Sequence, residues 1–479
     1  MEKNFNGNGR TSKDGKKLLG GVLALFAFSV IMTLFVLLWY AGQNYGEVFT
    51  ENILKDLAIF VMIVFLMFGL YVYMLLFEKK LLVTKNMVMI YLIMLLTLIS
   101  CCVTSDLLNI FALPLQLCAL MLCVLVGGRM AIAGNLFMSQ MLLIIFLIKN
   151  PFAAESMSRI AASVFCNTIS GFILIYLASL NLTRIKFILY SLIAGIAIAP
   201  FATVVSLAVG ESGRGILDNT LWVIGSNALA VILYMPLMPL FESGFNVITK
   251  FKLEEICDFS APLLKQLSEK ASGTFNHSIV VGNMAEKCAM AIGEDIRLAR
   301  ACAYYHDVGK IKSPEFFAEN QNGGYNPHDD LIPEVSVNMI SKHTKNGATL
   351  IREHHLPEEL AQVALEHHGT TPIKAFYYKA QKITDGELDD FKFRYEGPKP
   401  RSKISAIVML CDTTEAAVRA MNLKTLKEID DFVTSTIKEK IDDGQFDECE
   451  ITMSDLAKIK EAIVNMLAGI HHARVEYKK

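Results

Sequence analysis

The residue types best suited to metal chemistry are concentrated in the C-terminal half of the chain, where all ten histidines lie at or after His277. One doublet, His306-Asp307, ends an apolar run and is followed by Gly309, a residue that favours the end of a helix. An imidazole beside a carboxylate at a fixed helix end can bind a metal ion. A doublet alone is more typical of a capped helix end with a surface His and Asp, so the case depends on the other ligands.

A buried carboxylate supports the metal interpretation. Asp412 lies in the apolar segment 404–418, where helical periodicity puts it on one face with Ile404, Val408 and Ala416. A charge on such a face must be paired or must bind a metal, and a cation is the simplest explanation. The seven candidate ligands are His277, His306, Asp307, His343, His367, His368 and Asp412.

The order of these ligands resembles that of the HD superfamily of metal-dependent phosphohydrolases. Longer stretches are similar to the membrane-bound HD-domain phosphodiesterases that hydrolyse cyclic di-AMP, and the similarity extends from the membrane spans to the end of the chain. These stretches are GTFNHSIVVGNMAEKCA, YYHDVGKIKSPEFFAENQ, NPHDDLIPEVS, LEHHGTTPIKAFYYKA and YEGPKPRSKISAIVMLCDTTEAAVRAM. The resemblance implies a seven-helix transmembrane module followed by an HD domain.

The resemblance also implies a two-metal site that Asp307 bridges. It assigns to one metal the residues His277, His306 and Asp412, and to the other His343, His367 and His368. Two cations about 3.5–4 Å apart shield a phosphodiester and lower the pKa of a shared water. Mixed imidazole and carboxylate ligation suits Mn, Fe or Zn, and we expect two divalent ions, either Mn or Fe.

Several features beside the ligands are candidates for substrate contacts. Lys310 is the second expected catalytic residue after Asp307: it neutralises a phosphate oxygen or protonates the departing 3′-oxygen, although it also fits a cation at a helix end. The segment 317–330 is long enough to act as a lid, and His328 within it is expected to support the loop. A basic cluster comprises Arg394, Lys399, Arg401 and Lys403. Its side chains either contact a second phosphate, contact the membrane surface or belong to a solvated loop.

Composition divides the chain into an apolar half, which ends near Glu242, and a charged half that carries the histidines. With 479 residues, 53% hydrophobic side chains and a formal net charge of −2, the chain is too apolar for an ordinary soluble protein. Its ten cysteines include no Cys-x-x-Cys motif, and five lie in apolar runs. We interpret them as buried thiols and not as a disulfide framework.

The apolar half is predicted to be a polytopic membrane domain. Residues 1–17 are polar and basic and are expected to form a disordered cytoplasmic tail. Basic residues are concentrated in alternate loops, so the positive-inside rule puts both termini in the cytoplasm. Eight apolar runs approach the roughly 20 residues that a bilayer helix needs. They lie near residues 18–40, 57–77, 86–104, 107–127, 130–148, 159–180, 186–209 and 221–241.

These runs carry few ionisable residues, and the charged ones, Arg159 and Lys186, stand at the ends of their runs. Ion-coupled transport usually needs carboxylates or histidines inside the membrane, so the sequence argues against a transporter. We expect instead interhelical hydrogen bonds from Gln116, Asn135, Gln140, Asn167 and Asn227.

Three segments follow the N-terminal tail: a transmembrane domain at 18–243, linker helices at 244–270 and an all-α HD domain at 271–479. The linker is either a signalling element or a plain connector that rests on the HD core. The related proteins usually carry a large extracellular domain after the first span. Only Ala41 to about Asp56 is available here, which is too short for a domain. Either the membrane helices themselves sense the input signal, or a partner does.

The resemblance implies that the chain is a bacterial cell-membrane protein that hydrolyses cyclic di-AMP to the linear dinucleotide pApA. The branch of the superfamily that acts on cyclic di-GMP shows a Gly-Tyr-Pro signature, whereas this chain has Gly369-Thr-Thr-Pro. The alternatives are another cyclic dinucleotide, a nucleotide polyphosphate, or a receptor whose HD domain only binds nucleotide. The expected partners are cyclic di-AMP and the lipid bilayer, with a homodimer as a further hypothesis and no nucleic acid polymer.

Overall fold

The computed structural model describes residues 8–43, 53–149, 154–180, 183–321, 324–383, 388–423 and 425–472. Contacts divide the chain into two units, Met1–Thr249 and Lys250–Lys479. Helices dominate both units, and none of the described residues lies in a strand; Pro372 and Arg394 form an isolated bridge. The predicted all-α fold class is confirmed.

The first unit is a bundle of long apolar helices. Within the described residues they are α1 (Asn8–Gln43), α2 (Ile53–Phe77), α3 (Thr84–Leu107), α4 (Gln116–Leu125), α5 (Gly128–Lys149), α6 (Ala154–Ser179), α7 (Arg184–Ala197), α8 (Ala199–Ala208) and α9 (Arg214–Gly244). Helices α7 and α8 form one span that is interrupted at Ile198, close to the helix-breaking Pro200. Counted in this way, seven described helices are long and apolar enough to cross a membrane.

The polar N-terminal segment differs from the expected disordered tail. Helix α1 begins at Asn8, so residues 8–17 continue the first span towards the N-terminus. Once a helix is nucleated by an apolar run, each added residue contributes a hydrogen bond, which allows the polar flank to remain helical. The rest of the predicted tail, residues 1–7, lies outside the described residues.

Side-chain contacts show how the helices are oriented in the bundle. At one end, the Tyr73 hydroxyl of α2 donates to the Arg129 carbonyl at the start of α5, over 3.3 Å. At the other end, the Trp39 indole of α1 donates to Asp106 of α3, and its ring lies 5.8 Å from that of Phe146 in α5. Helices α3 and α5 therefore run in the same direction, and the chain between them must return across the bundle.

The run predicted as a span near 107–127 makes this return, but not as a full helix. Helix α4 has only ten residues, which is about 15 Å of length, or half the roughly 30 Å hydrocarbon core. The residues at 108–115 are not helical, and they include Pro114, which cannot donate a backbone hydrogen bond. Hydropathy detects the apolar composition of this segment but not the break in its backbone.

Helix α6 satisfies the irregular backbone that precedes α4. The Ser163 hydroxyl donates to the Ile110 carbonyl at 2.5 Å, and the Asn167 amide donates to the Phe111 carbonyl at 3.3 Å. Non-helical backbone at membrane depth is tolerated only where protein or water supplies such partners. The Asn167 oxygen also accepts from Gln116, at 2.8 Å.

The predicted interhelical role of the polar residues is confirmed for four of the five. Besides the pair of Gln116 and Asn167, Asn135 of α5 donates to a carbonyl of α6 at 3.1 Å, and Asn227 of α9 donates to one of α7 at 2.6 Å. Gln140 differs, because its side chain is exposed and makes no hydrogen bond to the described residues. The spans are thus joined by neutral polar contacts.

The second unit is built from shorter helices. They are α10 (Lys250–Ile256), α11 (Pro262–Lys270), α12 (Ser272–Ile292), α13 (Ile296–Tyr305), α14 (Pro333–Glu353), α15 (Glu358–Glu366), α16 (Lys374–Gln381), α17 (Lys403–Met421), α18 (Leu426–Asp442) and α19 (Met453–His472). Helix α12 lies at the centre and contacts α13, α17 and α19. Short 3-10 turns at 308–312, 314–316, 318–320, 327–329 and 390–393 fill the connections.

The helices of the predicted linker pack on the core of this second unit. Helix α10 contacts α13, and α11 contacts α12 and the turn at 308–312. The buried Tyr305 hydroxyl at the end of α13 donates to the Ile256 carbonyl at the end of α10, at 2.7 Å. The linker helices are therefore fixed to the element that carries the His-Asp doublet.

Replacing Asn167 by alanine is expected to lower the free energy of unfolding by roughly 1–2 kcal/mol, because interhelical hydrogen bonds in membranes contribute about 0.6 kcal/mol on average and up to about 1.7 kcal/mol. The variant removes the partner of Gln116 and of the Phe111 carbonyl. Unfolding by SDS titration in detergent micelles, followed by circular dichroism, measures the loss. Gln140→Ala is the control and should leave stability unchanged; equal losses in both variants would contradict the role of Asn167.

Candidate active site

The structure brings all seven predicted ligands together from five helices or their ends. Their ligand atoms form two groups, within each of which the atoms lie no more than 4.8 Å apart. The first group contains His277, His306, Asp307 and Asp412; the second contains His343, His367 and His368. Six of these residues are buried, and His368 is partly exposed.

Asp307 lies between the two groups and presents one carboxylate oxygen to each. Its Oδ2 is 3.2 Å from His306 Nε2 and 3.9 Å from His277 Nε2. Its Oδ1 is 3.2 Å from His343 Nε2 and 3.7 Å from His367 Nε2. This arrangement is the one that a bridging carboxylate requires.

Asp412 also faces both groups, which the sequence did not indicate. Its Oδ1 lies 2.9 Å from His277 Nε2 and 3.7 Å from His306 Nε2. Its Oδ2 lies 3.6 Å from Nδ1 of His368. The cluster therefore has a second carboxylate that faces both groups, besides Asp307.

Three imidazoles are oriented by their own backbone. The Nδ1 atoms of His306, His343 and His367 donate to the carbonyl oxygen three residues earlier, at 2.6, 2.7 and 2.9 Å respectively. Each ring therefore has its Nε2 atom directed at the cluster. His306 and His367 are C-caps of α13 and α15, so the helix ends themselves deliver the ligands. His368 is oriented differently, because its ring stacks on that of Tyr395 with centroids 4.1 Å apart.

The electrostatics of the cluster favour ionised carboxylates. Burial opposes ionisation of Asp307, yet His306 and Lys310 hold the pKa of that carboxyl well below its usual range. Burial likewise opposes the charge on Asp412, but hydrogen bonds from His277 and His306 lower its pKa strongly. Burial and the neighbouring imidazoles lower the pKa of His367 to about 3 and that of His368 well below its usual value. Both carboxylates and these two imidazoles are thus in the protonation states that metal binding needs. Burial opposes a charge on His277 and His306 as well, but Asp412 raises the pKa of His277, and Asp307 raises the pKa of His306 to about 10, so a metal ion must displace a proton from each.

The residues fit a divalent cation. His306 Nε2 and both oxygens of Asp307 are buried, and none of them makes a hydrogen bond of acceptable geometry. Buried polar atoms in folded proteins are nearly always paired. Asp307 Oδ2 has the Lys310 ammonium 2.7 Å away, whereas His306 Nε2 and Asp307 Oδ1 still require a partner. Imidazole nitrogens and carboxylate oxygens together suit a transition metal such as Mn, Fe or Zn. A cation between these atoms would therefore satisfy them.

Lys310 lies beside the cluster in the 3-10 turn at 308–312 and not at the end of a long helix. Its Nζ is 2.7 Å from Asp307 Oδ2 and 2.9 Å from Glu319 Oε1, and 4.8 Å from the ring centroid of Phe317. Burial opposes its charge, but the two carboxylates raise the pKa of Lys310 above its usual value. Lys310 thus joins the ligand cluster to the predicted lid segment.

The lid segment and the basic cluster have structural contacts. His328 donates from Nε2 to the Phe316 carbonyl at 2.9 Å, which supports its expected role in loop structure.

All four basic residues of the cluster form ion pairs with carboxylates. The pairs are Arg394 with Asp443 at 3.0 Å, Lys399 with Asp447 at 3.3 Å, Arg401 with Glu448 at 3.0 Å and Lys403 with Asp455 at 2.9 Å. Carboxylates of the protein itself compensate their positive charge, which favours a solvated loop over a contact with a second phosphate or the membrane surface.

Sequence reasoning missed three residues of the site. Glu415 accepts a hydrogen bond from His277 Nδ1, and its spacing of three residues from Asp412 was a signal that could have identified it. Glu319 contacts Lys310, and Tyr395 stacks on His368. Both come from irregular segments, where no periodicity predicts which way a side chain points.

Two family models match the sequence. Residues 274–417 match the HD domain, and residues 53–249 match the model described as "7TM receptor with intracellular HD hydrolase". The first match lies within the second unit and the second match within the first unit, so the chain resembles the seven-transmembrane HD family in both. The matched membrane region holds six of the seven long apolar helices, and the short helix α4 makes the seventh. The HD domain is a family of metal-dependent hydrolases.

Two curated bacterial proteins are similar to this chain, and both are named cyclic-di-AMP phosphodiesterase PgpH. The protein from Bacillus subtilis (strain 168) is 42% identical over 265 residues, which cover 55% of this chain and 37% of that protein. The protein from Listeria monocytogenes serotype 1/2a (strain 10403S) is 43% identical over 248 residues, covering 52% of this chain and 34% of that protein. The chain thus matches about a third of the length of these relatives.

Solved structures of the L. monocytogenes PgpH HD domain are also similar. One is 44% identical in sequence, covers 44% of this chain and 99% of that chain, and has a TM-score of 0.42. A second, described as in complex with cyclic di-AMP, has the same identity, covers 97% of that chain and has a TM-score of 0.43.

The close packing of the turn after the doublet predicts that Gly309→Ala disrupts the site. A Cβ atom at this position would lie 1.9 Å from the His343 carbonyl oxygen and 2.5 Å from the Gly347 nitrogen. The turn and α14 must then separate, which should lower the free energy of unfolding by about 1–3 kcal/mol and weaken metal binding.

Thermal unfolding by circular dichroism and a Mn²⁺ titration measure the two effects of Gly309→Ala. The control is Gly469→Ala in α19, where a Cβ atom would meet nothing within 4 Å. Alanine should there be neutral or stabilising by up to about 1 kcal/mol. Normal stability and Mn²⁺ affinity in Gly309→Ala would show that the close approach is not required.

Proposed function

We propose that the chain hydrolyses cyclic di-AMP to pApA at a two-metal site in its HD domain. The observation that carries the reaction class is the position of Asp307, whose two oxygens face two separate ligand groups. The names of the two PgpH relatives support cyclic di-AMP as the substrate. Because only about a third of each relative is matched, the activity of the whole chain rests on experiment.

The proposed metal ligands are His277, His306, Asp307, His343, His367, His368 and Asp412, with Asp307 as the bridge. Two divalent ions, Mn or Fe, would supply charge to stabilise the phosphoryl oxygens and a more acidic water. The protein positions each imidazole through its Nδ1 contact, so little reorganisation accompanies binding. Asp412 adds a second carboxylate whose oxygens face both groups.

Lys310 is proposed to act on the substrate from the edge of the cluster. Its ammonium lies next to Asp307 and can approach a phosphate that is held there. Two roles are open: Lys310 neutralises a non-bridging oxygen, or it donates the proton that the departing 3′-oxygen needs.

We further propose that both termini face the cytoplasm. The chain is a multi-pass membrane protein by its seven long apolar helices and its family match. Lys79, Lys80 and Arg129 share one end of the first unit, since Glu78 lies 3.9 Å from Arg129. By the positive-inside rule this end is cytoplasmic. The bilayer is the proposed surrounding of this unit, and a homodimer remains a prediction for light scattering in detergent.

The function is tested with the purified full chain in detergent micelles, loaded with Mn²⁺ or Fe²⁺. Cyclic di-AMP should be converted to pApA, and Asp307→Ala should lower kcat by at least about 10³-fold because the bridge is lost. Chromatography of the products measures turnover, with cyclic di-GMP as the comparison substrate. Glu286→Gln is the control variant, which changes a carboxylate paired with Arg300 away from the ligands.

Each outcome of this assay is informative. Cleavage of cyclic di-GMP in place of cyclic di-AMP would show that the substrate assignment is wrong and that cyclic di-GMP is the substrate. Binding of cyclic di-AMP with no cleavage would favour a receptor, and neither binding nor cleavage would remove the nucleotide assignment.

Lys310→Gln removes a cation beside Asp307, so it should not weaken Mn²⁺ binding, but it should lower kcat by about 10²–10⁴-fold, the usual contribution of a positioned acid. An analogue of cyclic di-AMP with sulfur at the bridging 3′ position separates the two roles, since a thiolate leaves without protonation. Recovery of the rate with this analogue would assign proton donation to Lys310. No recovery would assign charge neutralisation, and an unchanged kcat in the variant would exclude both roles.

A further inference from the structure

His277 is held by two carboxylates of a single helix. Its Nε2 lies 2.9 Å from Asp412 Oδ1, and its Nδ1 makes a hydrogen bond with Glu415 Oε2. Both acids belong to α17, where a spacing of three residues puts side chains on the same face. One helix face therefore contacts both nitrogens of one imidazole.

This arrangement sets His277 apart from three of the other histidines. The Nδ1 atoms of His306, His343 and His367 donate to neutral backbone carbonyls of their own chain segment. His277 instead uses a charged acceptor that lies 138 residues away in the sequence. Its orientation thus depends on how α12 and α17 pack, and not on local helix geometry.

Glu415 has little other compensation for its charge. The residue is buried, with 7% of its surface exposed. Among the described residues, the only other cation within 4 Å is Arg419, whose Nη2 atom lies 3.7 Å away and whose side chain is half exposed. This distance is too long for a hydrogen bond. The imidazole of His277 is therefore the main partner of the Glu415 carboxylate.

We propose that Glu415 is a positioning residue for the metal group that contains His277. By accepting the Nδ1 proton it fixes the tautomer in which the Nε2 lone pair faces the cluster. Its negative charge also makes the imidazole a stronger ligand, as carboxylates do behind metal-binding histidines. This inference rests on the proposed metal site, and it assigns to Glu415 an effect on one of the two metals.

The test is Mn²⁺ binding to the full chain in detergent micelles, followed by electron paramagnetic resonance. The wild-type protein should bind two Mn²⁺ and show the spectrum of a spin-coupled pair. Glu415→Ala should raise the Kd of one Mn²⁺ by about 10–100-fold and leave the other nearly unchanged. Glu415→Gln keeps an acceptor oxygen but not the charge, so it should raise that Kd by less.

The matched control is Glu286→Gln, which removes a carboxylate charge from α12, the helix of His277, at a position paired with Arg300. It should not change either Kd. Wild-type Mn²⁺ affinities in Glu415→Ala would overturn the inference. So would a rise in the Kd of both Mn²⁺ ions that is equally large in Glu415→Ala and in Glu286→Gln. Fewer than two Mn²⁺ bound by the wild-type chain would instead contradict the proposed metal site. If Glu415→Ala does not fold, the decision rests on Glu415→Gln, for which an unchanged Kd overturns the proposal.

Discussion

The second unit depends on the compensation of two buried carboxylates. Asp307 and Asp412 are almost fully buried, and leaving one such charge unpaired would cost several kcal/mol. Imidazoles from four helices or helix ends surround them, and Lys310 adds a permanent cation. Among these groups, His277, His306 and Lys310 are the ones whose pKa is raised against the effect of burial, and without them the acids would have to be protonated. With them, the acids stay ionised and can bind a divalent cation, so one electrostatic constraint dictates both the packing and the chemistry.

Helix ends and close contacts between backbone segments bring the histidines to the two buried carboxylates. His306 and His367 sit at the C-caps of α13 and α15, where the last turns leave carbonyls free to accept from Nδ1. Gly309 then lets the next turn lie against α14, with no space for a Cβ atom beside the His343 carbonyl. The close approach of Gly309 to α14 thus brings His343 next to Asp307, where their side chains come within 3.2 Å of each other.

Residue types and the family resemblance together named the seven candidate ligands, and the structure brings their side chains into two groups. Their role as metal ligands stays a prediction. The same logic missed Glu319 and Tyr395, since these side chains reach the site from irregular segments. In the membrane unit, hydropathy located the apolar runs but treated 107–127 as a full span. Composition averages over a window and cannot show that the backbone around Pro114 is bonded by side chains of α6.

The linker helices show how a buried contact can join distant segments. Tyr305 immediately precedes His306, and its hydroxyl is bonded to the last carbonyl of α10. Its ring is fully buried, so it cannot turn away without opening a cavity in the core. A shift of α10 must therefore either break this hydrogen bond or move the end of α13, which carries the first metal ligand of the doublet. A signalling linker requires such a coupling between α10 and the end of α13. A plain connector would be stabilised by the same hydrogen bond, so the contact is compatible with both interpretations of the linker.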